Sequence, residues 1–412
     1  MAETAQELRQ QEYELRLVIN RLGRELQESS NPAGLALRVE ELGKAEQSLA
    51  EIQQKLANET RQDNQGGLIL DTKKETALLG ADTTGLDVEI RLRMEHLPTG
   101  IYHLLDPTEH PLISCEVRNT KTEQTKRIRV TAFIDGYSAQ TVESFELKPK
   151  KSHSFALLPT LFPRDVKQLN ELTRATLNIL VEDLDGKVEM HKTEPIWLLS
   201  QNTAPLSIKD PKTGQWNDVT RYFGAFVTPN QPEVMAFLRK VAARHPQGRL
   251  EGYHRIAEEP QAVELQIRAI FEALKHDAGI TYVDSIIANN PDEGASSQRV
   301  RLPRQSLAGG VANCIDGTVL FASLIEAISM NPAIVVVPGH VLLAWQKAPT
   351  GEEWEYLETT KIGSQTFEEA CQFGKTWAEG YQKRRESTGD ERYFRRWSVR
   401  ELRITYRITP ME

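Results

Sequence analysis

The sequence has few cysteines, no long apolar run and no excess of positive charge. Each absence removes a class of protein. Its three cysteines, Cys115, Cys314 and Cys371, are too few for a disulfide framework and too far apart for a zinc motif. No stretch reaches the roughly 18 consecutive apolar residues of a membrane-spanning helix, so no membrane partner is expected. The opening MAETAQELRQQ lacks an apolar signal-peptide core, which points to a reducing cytoplasm. Lys and Arg number 50 against 58 Asp and Glu, a formal charge of -8. A nucleic-acid-binding chain usually leans basic, so nucleic acid is not an expected partner. Histidines such as His103, His110, His153 and His191 are scattered without ligand spacing. No metal and no cofactor is expected.

What is present is length and changing periodicity. At roughly 150 residues per domain, 412 residues predict two or three domains. Residues 1–60 read as a helical hairpin or coiled-coil module. Leu8, Leu15 and Leu22 fall one heptad apart, with Ile19 and Leu26 in the same stripe. Asn31 and Pro32 suit the start of a second helix, whose seam is Leu42, Ala45, Leu49, Ile52 and Leu56. Two short helices bury little alone, so this module is expected to pack on a further partner, either another protein or a second copy.

Over residues 68–200 the period becomes two. Val88, Ile90, Leu92 and Met94 alternate with Glu89, Arg91 and Arg93. Ile128, Val130, Ala132 and Ile134 form a second run; Ile113, Cys115 and Val117 a third; Leu177, Ile179 and Val181 a fourth. Asp135-Gly136 and Asp185-Gly186 read as turns between strands. The pattern predicts an antiparallel, Ig-like β-sandwich. Cys115 reads as a small buried hydrophobe on a strand. The acidic Asp183-Leu184-Asp185-Gly186 lacks the rest of a calcium loop and reads as a hairpin turn.

Residues 215–412 predict an α+β domain. Val234, Phe237, Leu238 and Val241 mark one helix; Val263, Ile267, Ile270, Phe271 and Leu274 mark another. Cys371 falls in an amphipathic helix and reads as packed. Near the C-terminus, Leu402, Ile404, Tyr406 and Ile408 alternate with polar residues, predicting a strand with one solvated face. The arginines and aromatics around it offer a partner-binding edge.

The chemistry concentrates in ANCIDGTVLFASLIEA, VVVPGHVLLAW and WEYLETT. Cys314 falls at the start of an apolar helix. Such a terminus carries about half a positive charge and unpaired N–H groups, which favour a thiolate. Asp316 in the same turn carries a charge that opposes it. His340 opens a strand after the Pro338-Gly339 turn. Glu358 lies at the end of the next, antiparallel strand, close enough to orient an imidazole. Cysteine, histidine and carboxylate in this order make a nucleophile, a base and an orienting group.

These three segments, within roughly residues 260–365, resemble the transglutaminase-like superfamily, the papain-related group that includes bacterial cysteine peptidases. The resemblance implies that Cys314 is the nucleophile, His340 the general base and then acid, and Glu358 the orienting acid of a catalytic triad. The family's usual acid is aspartate; glutamate is one methylene longer. The Cys314 backbone N–H is a natural oxyanion donor. A side-chain donor is Gln298 or Gln305, with Gln298 preferred for its place at the head of QRVRLP. The implied activity is that of a cysteine hydrolase, a peptidase or amidase working on a protein or peptide through a thioester. A crosslinking transamidase shares the acylation step, and a non-catalytic interaction protein with a vestigial triad would retain the same fold.

Overall fold

The computed structural model describes residues 85–184, 188–210, 216–254, 261–283 and 297–411, together with parts of 11–25, 38–52 and 68–69. The chain is a mixed α+β protein with several sheets. Its internal contacts divide it into two compact units. One comprises 63–220 with 287–299; the other comprises 1–62, 221–286 and 300–412. No helix among the described residues is long and apolar enough to cross a membrane.

The first unit is built on alternation. Strands β1 Leu68–Ile69, β2 Leu86–Leu92, β3 His96–Leu97, β4 Ile113–Asn119, β5 Lys126–Ile134, β6 Thr141–Leu147, β7 Ser152–Leu157, β8 Thr173–Asp183 and β9 Val188–Leu198 form two sheets. Their orders are β1-β2-β4-β7 and β3-β9-β8-β5-β6. Successive side chains of a strand point to opposite faces, so one parity becomes core. Ile128, Val130, Ala132 and Ile134 on β5 are fully buried, as are Leu177, Ile179 and Val181 on β8. Gly136 has φ +73°, which the turn between β5 and β6 requires. The Asp185-Gly186 turn lies outside the described residues. Cys115 sits buried on β4, where loss of solvent pushes its thiol up to about 12.

The second unit holds helices α1 Pro232–Arg244, α2 Ala262–His276, α3 Pro303–Gly309, α4 Cys314–Ala327, α5 Phe367–Thr388 and α6 Val399–Ile404. Its main sheet contains β10 Pro332–Val337, β11 His340–Gln346, β12 Trp354–Leu357 and β13 Arg395–Ser398. The order is β12-β11-β10-β13, with every neighbour antiparallel. Strand β11 is buried along its whole length, and α4 is buried at every position from Ile315 to Ile325. An apolar helix of this kind cannot face water and occupies the centre of the unit. Helix α5 crosses β12 closely. A Cβ at Gly374 would lie 2.7 Å from the backbone of Leu357, so only glycine permits that approach.

The C-terminal strand expected over Leu402–Ile408 is not formed. The strand is β13, Arg395–Ser398, and the chain turns into α6 directly after it. Ser398 caps this helix by accepting from the Glu401 N–H. A helical turn puts Leu402 into the core and leaves Ile404 71% exposed, whereas a strand would have placed both on one face.

Much of the expected hairpin in residues 1–60 lies outside the described residues, and among the described residues no coiled coil is evident. Leu22, Val39 and Leu42 are buried, and they join one apolar cluster with Val335, Leu342, Phe373 and Tyr381. This segment therefore packs on the sheet-and-α5 face of its own unit.

Candidate active site

Asn313 caps α4, and Cys314 is the first residue of the helix. The Asn313 side chain accepts from the Asp316 N–H at 2.8 Å, and the Asp316 carboxylate accepts from the Asn313 N–H at 3.2 Å. Two N–H groups that a helix start leaves unpaired are thereby satisfied. Asp316 also accepts from the Arg301 N–H at 2.6 Å and from its guanidinium at 2.7 Å. The carboxylate is fully buried. Burial pushes its proton affinity above the ordinary range, against the opposing pull of Arg301 and the Asn313 N–H. The charge that the sequence set against a Cys314 thiolate is thus engaged by a guanidinium. Sequence reasoning missed Arg301; a basic residue shortly upstream was the only signal.

The Cys314 carbonyl accepts from the hydroxyls of Thr318 at 2.8 Å and Thr359 at 3.2 Å. Thr359 packs where a side chain at Gly317 would go, with an ideal Cβ only 2.9 Å from its side chain. The start of α4 and the chain just past β12 are therefore held together. Removing the Asp316 clamp should loosen this corner. Asp316→Ala leaves a half-buried guanidinium and two N–H donors without their acceptor, and should cost roughly 1–3 kcal/mol in denaturant unfolding. A loss below about 1 kcal/mol, the scale of an exposed ion pair, would show that the clamp does not hold the helix start.

His340 follows the Pro338-Gly339 turn, in which Gly339 adopts φ +69°. It begins β11 and is buried. Glu358 lies one residue beyond β12, whose Leu357 pairs with Leu343 of β11. That register brings the two side chains together: His340 Nε2 lies 2.6 Å from Glu358 Oε2, and both side chains are only 2% exposed. The other oxygen, Oε1, accepts from the Thr360 N–H at 3.1 Å and its hydroxyl at 2.8 Å. Each carboxylate oxygen thus has one task. The Trp377 ring packs against the imidazole, with centroids 4.8 Å apart.

Burial opposes a charge on His340. The Glu358 carboxylate outweighs it, aided by the interaction with the Cys314 side chain, and the ring is raised to about 10. Glu358 is held below the ordinary carboxylate range: burial works against its charge, but His340 and Thr360 prevail. The remaining ring nitrogen, Nδ1, is buried and makes no hydrogen bond of ordinary geometry among the described residues. It is the nitrogen left to face the thiol.

Gln298 lies in the other unit, on the short strand Ser297–Arg299, which pairs with Thr203–Pro205. Its side-chain amide donates to the Arg299 carbonyl at 3.2 Å. Gln305 shares a unit with Cys314, and its Oε1 accepts from the Leu302 N–H at 2.9 Å, capping α3. Cys371 sits on α5, where burial pushes its thiol up to about 12. Among the described residues, Cys314 is the cysteine whose side chain interacts with an imidazole, that of His340. Compared with protein-family models and with curated proteins, the chain matches none.

Proposed function

We propose that the chain is a cysteine-dependent amide hydrolase whose second unit is a transglutaminase-like, papain-related α+β domain carrying a Cys314–His340–Glu358 triad. On this reading the first unit is an Ig-like β-sandwich. The observation that carries the proposal is the buried 2.6 Å contact between His340 and Glu358, with the Cys314 side chain on the same imidazole at a helix start. Such a grouping costs desolvation and adds little stability compared with an apolar packing. Chemistry gives it a reason to exist.

In the proposed reaction the Cys314 thiolate attacks the carbonyl carbon of an amide. The charged imidazole and the helix terminus supply the positive potential that this nucleophile needs. A tetrahedral oxyanion forms, with the Cys314 N–H as one donor. His340 Nδ1–H gives its proton to the leaving nitrogen, the C–N bond breaks, and a thioester remains. The neutral imidazole then takes a proton from water as the hydroxide oxygen attacks the thioester. The C–S bond breaks to release the acid, leaving thiolate and imidazolium again. Glu358 keeps the ring oriented throughout and offsets its charge. The substrate is a protein or peptide amide.

Alkylation tests the nucleophile directly. Iodoacetamide near neutral pH should modify Cys314 well before the buried Cys115 and the half-buried Cys371, whose thiols are both pushed up to about 12. Mass mapping of the labelled chain reads the order. His340→Ala should slow modification of Cys314. Equal labelling of the three, or a rate at Cys314 indifferent to His340, would count against the proposal.

A further inference from the structure

Away from the triad, the second unit carries a cleft of about 830 Å³ that the proposed chemistry does not use. Its lining comes from the far end of β11, from β12 and β13, from α5 and α6, and from the turns beside them. The volume falls within the roughly 300–1,000 Å³ of sites for small molecules. Two of its lining residues are arginines, Arg396 and Arg400. Among the described residues neither forms an ion pair with a carboxylate.

Arg396 is half-buried and held in place. Its guanidinium lies 4.8 Å from the centroid of the Trp354 ring, and its Nη1 donates to the Tyr356 hydroxyl at 3.1 Å. Stacking fixes the plane of the group and leaves its other N–H edge to a ligand. Arg400 on the rim donates to the Pro349 carbonyl at 2.8 Å, which positions it without neutralising it. Arg396 is half-buried and Arg400 exposed, and a bound anion would give each a charge-assisted contact that no carboxylate of the chain supplies among the described residues.

We propose that this cleft binds a phosphate monoester of a small polyhydroxylated molecule, such as a nucleoside monophosphate or a sugar phosphate. Two unpaired cations suit a group carrying about -1.5 to -2 charge near neutral pH better than a single carboxylate. Gln346, Gln382 and Ser398 also line the cleft; each makes a hydrogen bond within the chain and keeps a further amide N–H or oxygen lone pair that suits ribose or sugar hydroxyls. Glu352 and Glu401 also line the cleft, both exposed to solvent. They repel a polyphosphate and so favour a ligand with one phosphate and a neutral body. The proposal stands apart from the hydrolase reading, since it uses neither Cys314 nor His340.

Titration calorimetry on the full chain tests it, with AMP, glucose 6-phosphate and adenosine as probes. At least one of the two phosphate esters should bind with a dissociation constant at or below about 1 mM, while adenosine, which has no phosphate, should not. Arg396→Gln should weaken binding by roughly tenfold or more, the loss of one charge-assisted contact. Arg400→Gln, an exposed change that leaves the Trp354 stack intact, should weaken it several-fold and serves alone if the Arg396 variant fails to fold. Absence of binding by both esters, equal binding of adenosine and AMP, or affinity unchanged in a folded arginine variant would each overturn the proposal.

Discussion

Cys314→Ala should lower amide hydrolysis by roughly 10⁴- to 10⁶-fold, the range seen when a triad nucleophile is removed. The expected fall is in kcat, because substrate contacts remain while the bond-forming atom is gone. The fold should hold. Cys314 is only partly buried, and the bonds that fix its corner are made by its own carbonyl and by Asn313, Asp316 and Thr359, not by its sulfur. The variant's melting temperature should therefore stay near that of the native chain. Activity that survives in Cys314→Ala, on a peptide or amide that the native chain cleaves, would end the hydrolase proposal. Product in which an added amine replaces water would turn the reading to transamidation, since both outcomes share the thioester.

Glu358→Ala should be the most damaging single change to the site's own stability. It leaves a buried imidazole without its counter-charge and the Thr360 N–H and hydroxyl without their acceptor. Breaking a buried pair from one side costs roughly 3–5 kcal/mol. The cost should depend on pH, with a sign set by the two partners. His340 is raised from 6.5 to about 10, so its contribution is complete below about 6.5 and is lost as pH climbs through 10. Glu358 is lowered from 4.5, so its contribution is present above 4.5 and is lost on acidification through its lower folded value. The native chain should hold its widest margin over the variant between about pH 4.5 and 6.5. Urea unfolding of both proteins should show that margin narrowing steadily from pH 7 toward 10. A margin flat across that range would mean that no proton is shared between His340 and Glu358.

Much of the architecture could be read in the residues, for reasons of periodicity. Ile128, Val130, Ala132 and Ile134 announce a strand with one buried face because the pleat repeats every second residue. The apolar run from Ile315 announces a helix packed on more than one side, and α4 is buried at every position from Ile315 to Ile325. The order of cysteine, histidine and acid singled out Cys314, His340 and Glu358 before any distance was known. The segment after Ser398 misled because alternation over four apolar residues also fits a short helix with a ragged face. A capping serine decided between the two, and its effect depends on where β13 ends.

The sequence by itself determined which residue types were available for chemistry, where along the chain they stood, and, outside the segment after Ser398, most of the strands and helices. Those are local properties, fixed by neighbours a few positions apart. Only the tertiary structure decided that Glu358 reaches His340, that Arg301 answers the buried charge of Asp316, and that Arg396 stacks on Trp354 at the edge of a cleft. Each of those pairings joins residues 15 to 42 positions apart through the register of antiparallel strands or the packing of a helix start. A register is set by the whole sheet and its core, and no short window of sequence contains it.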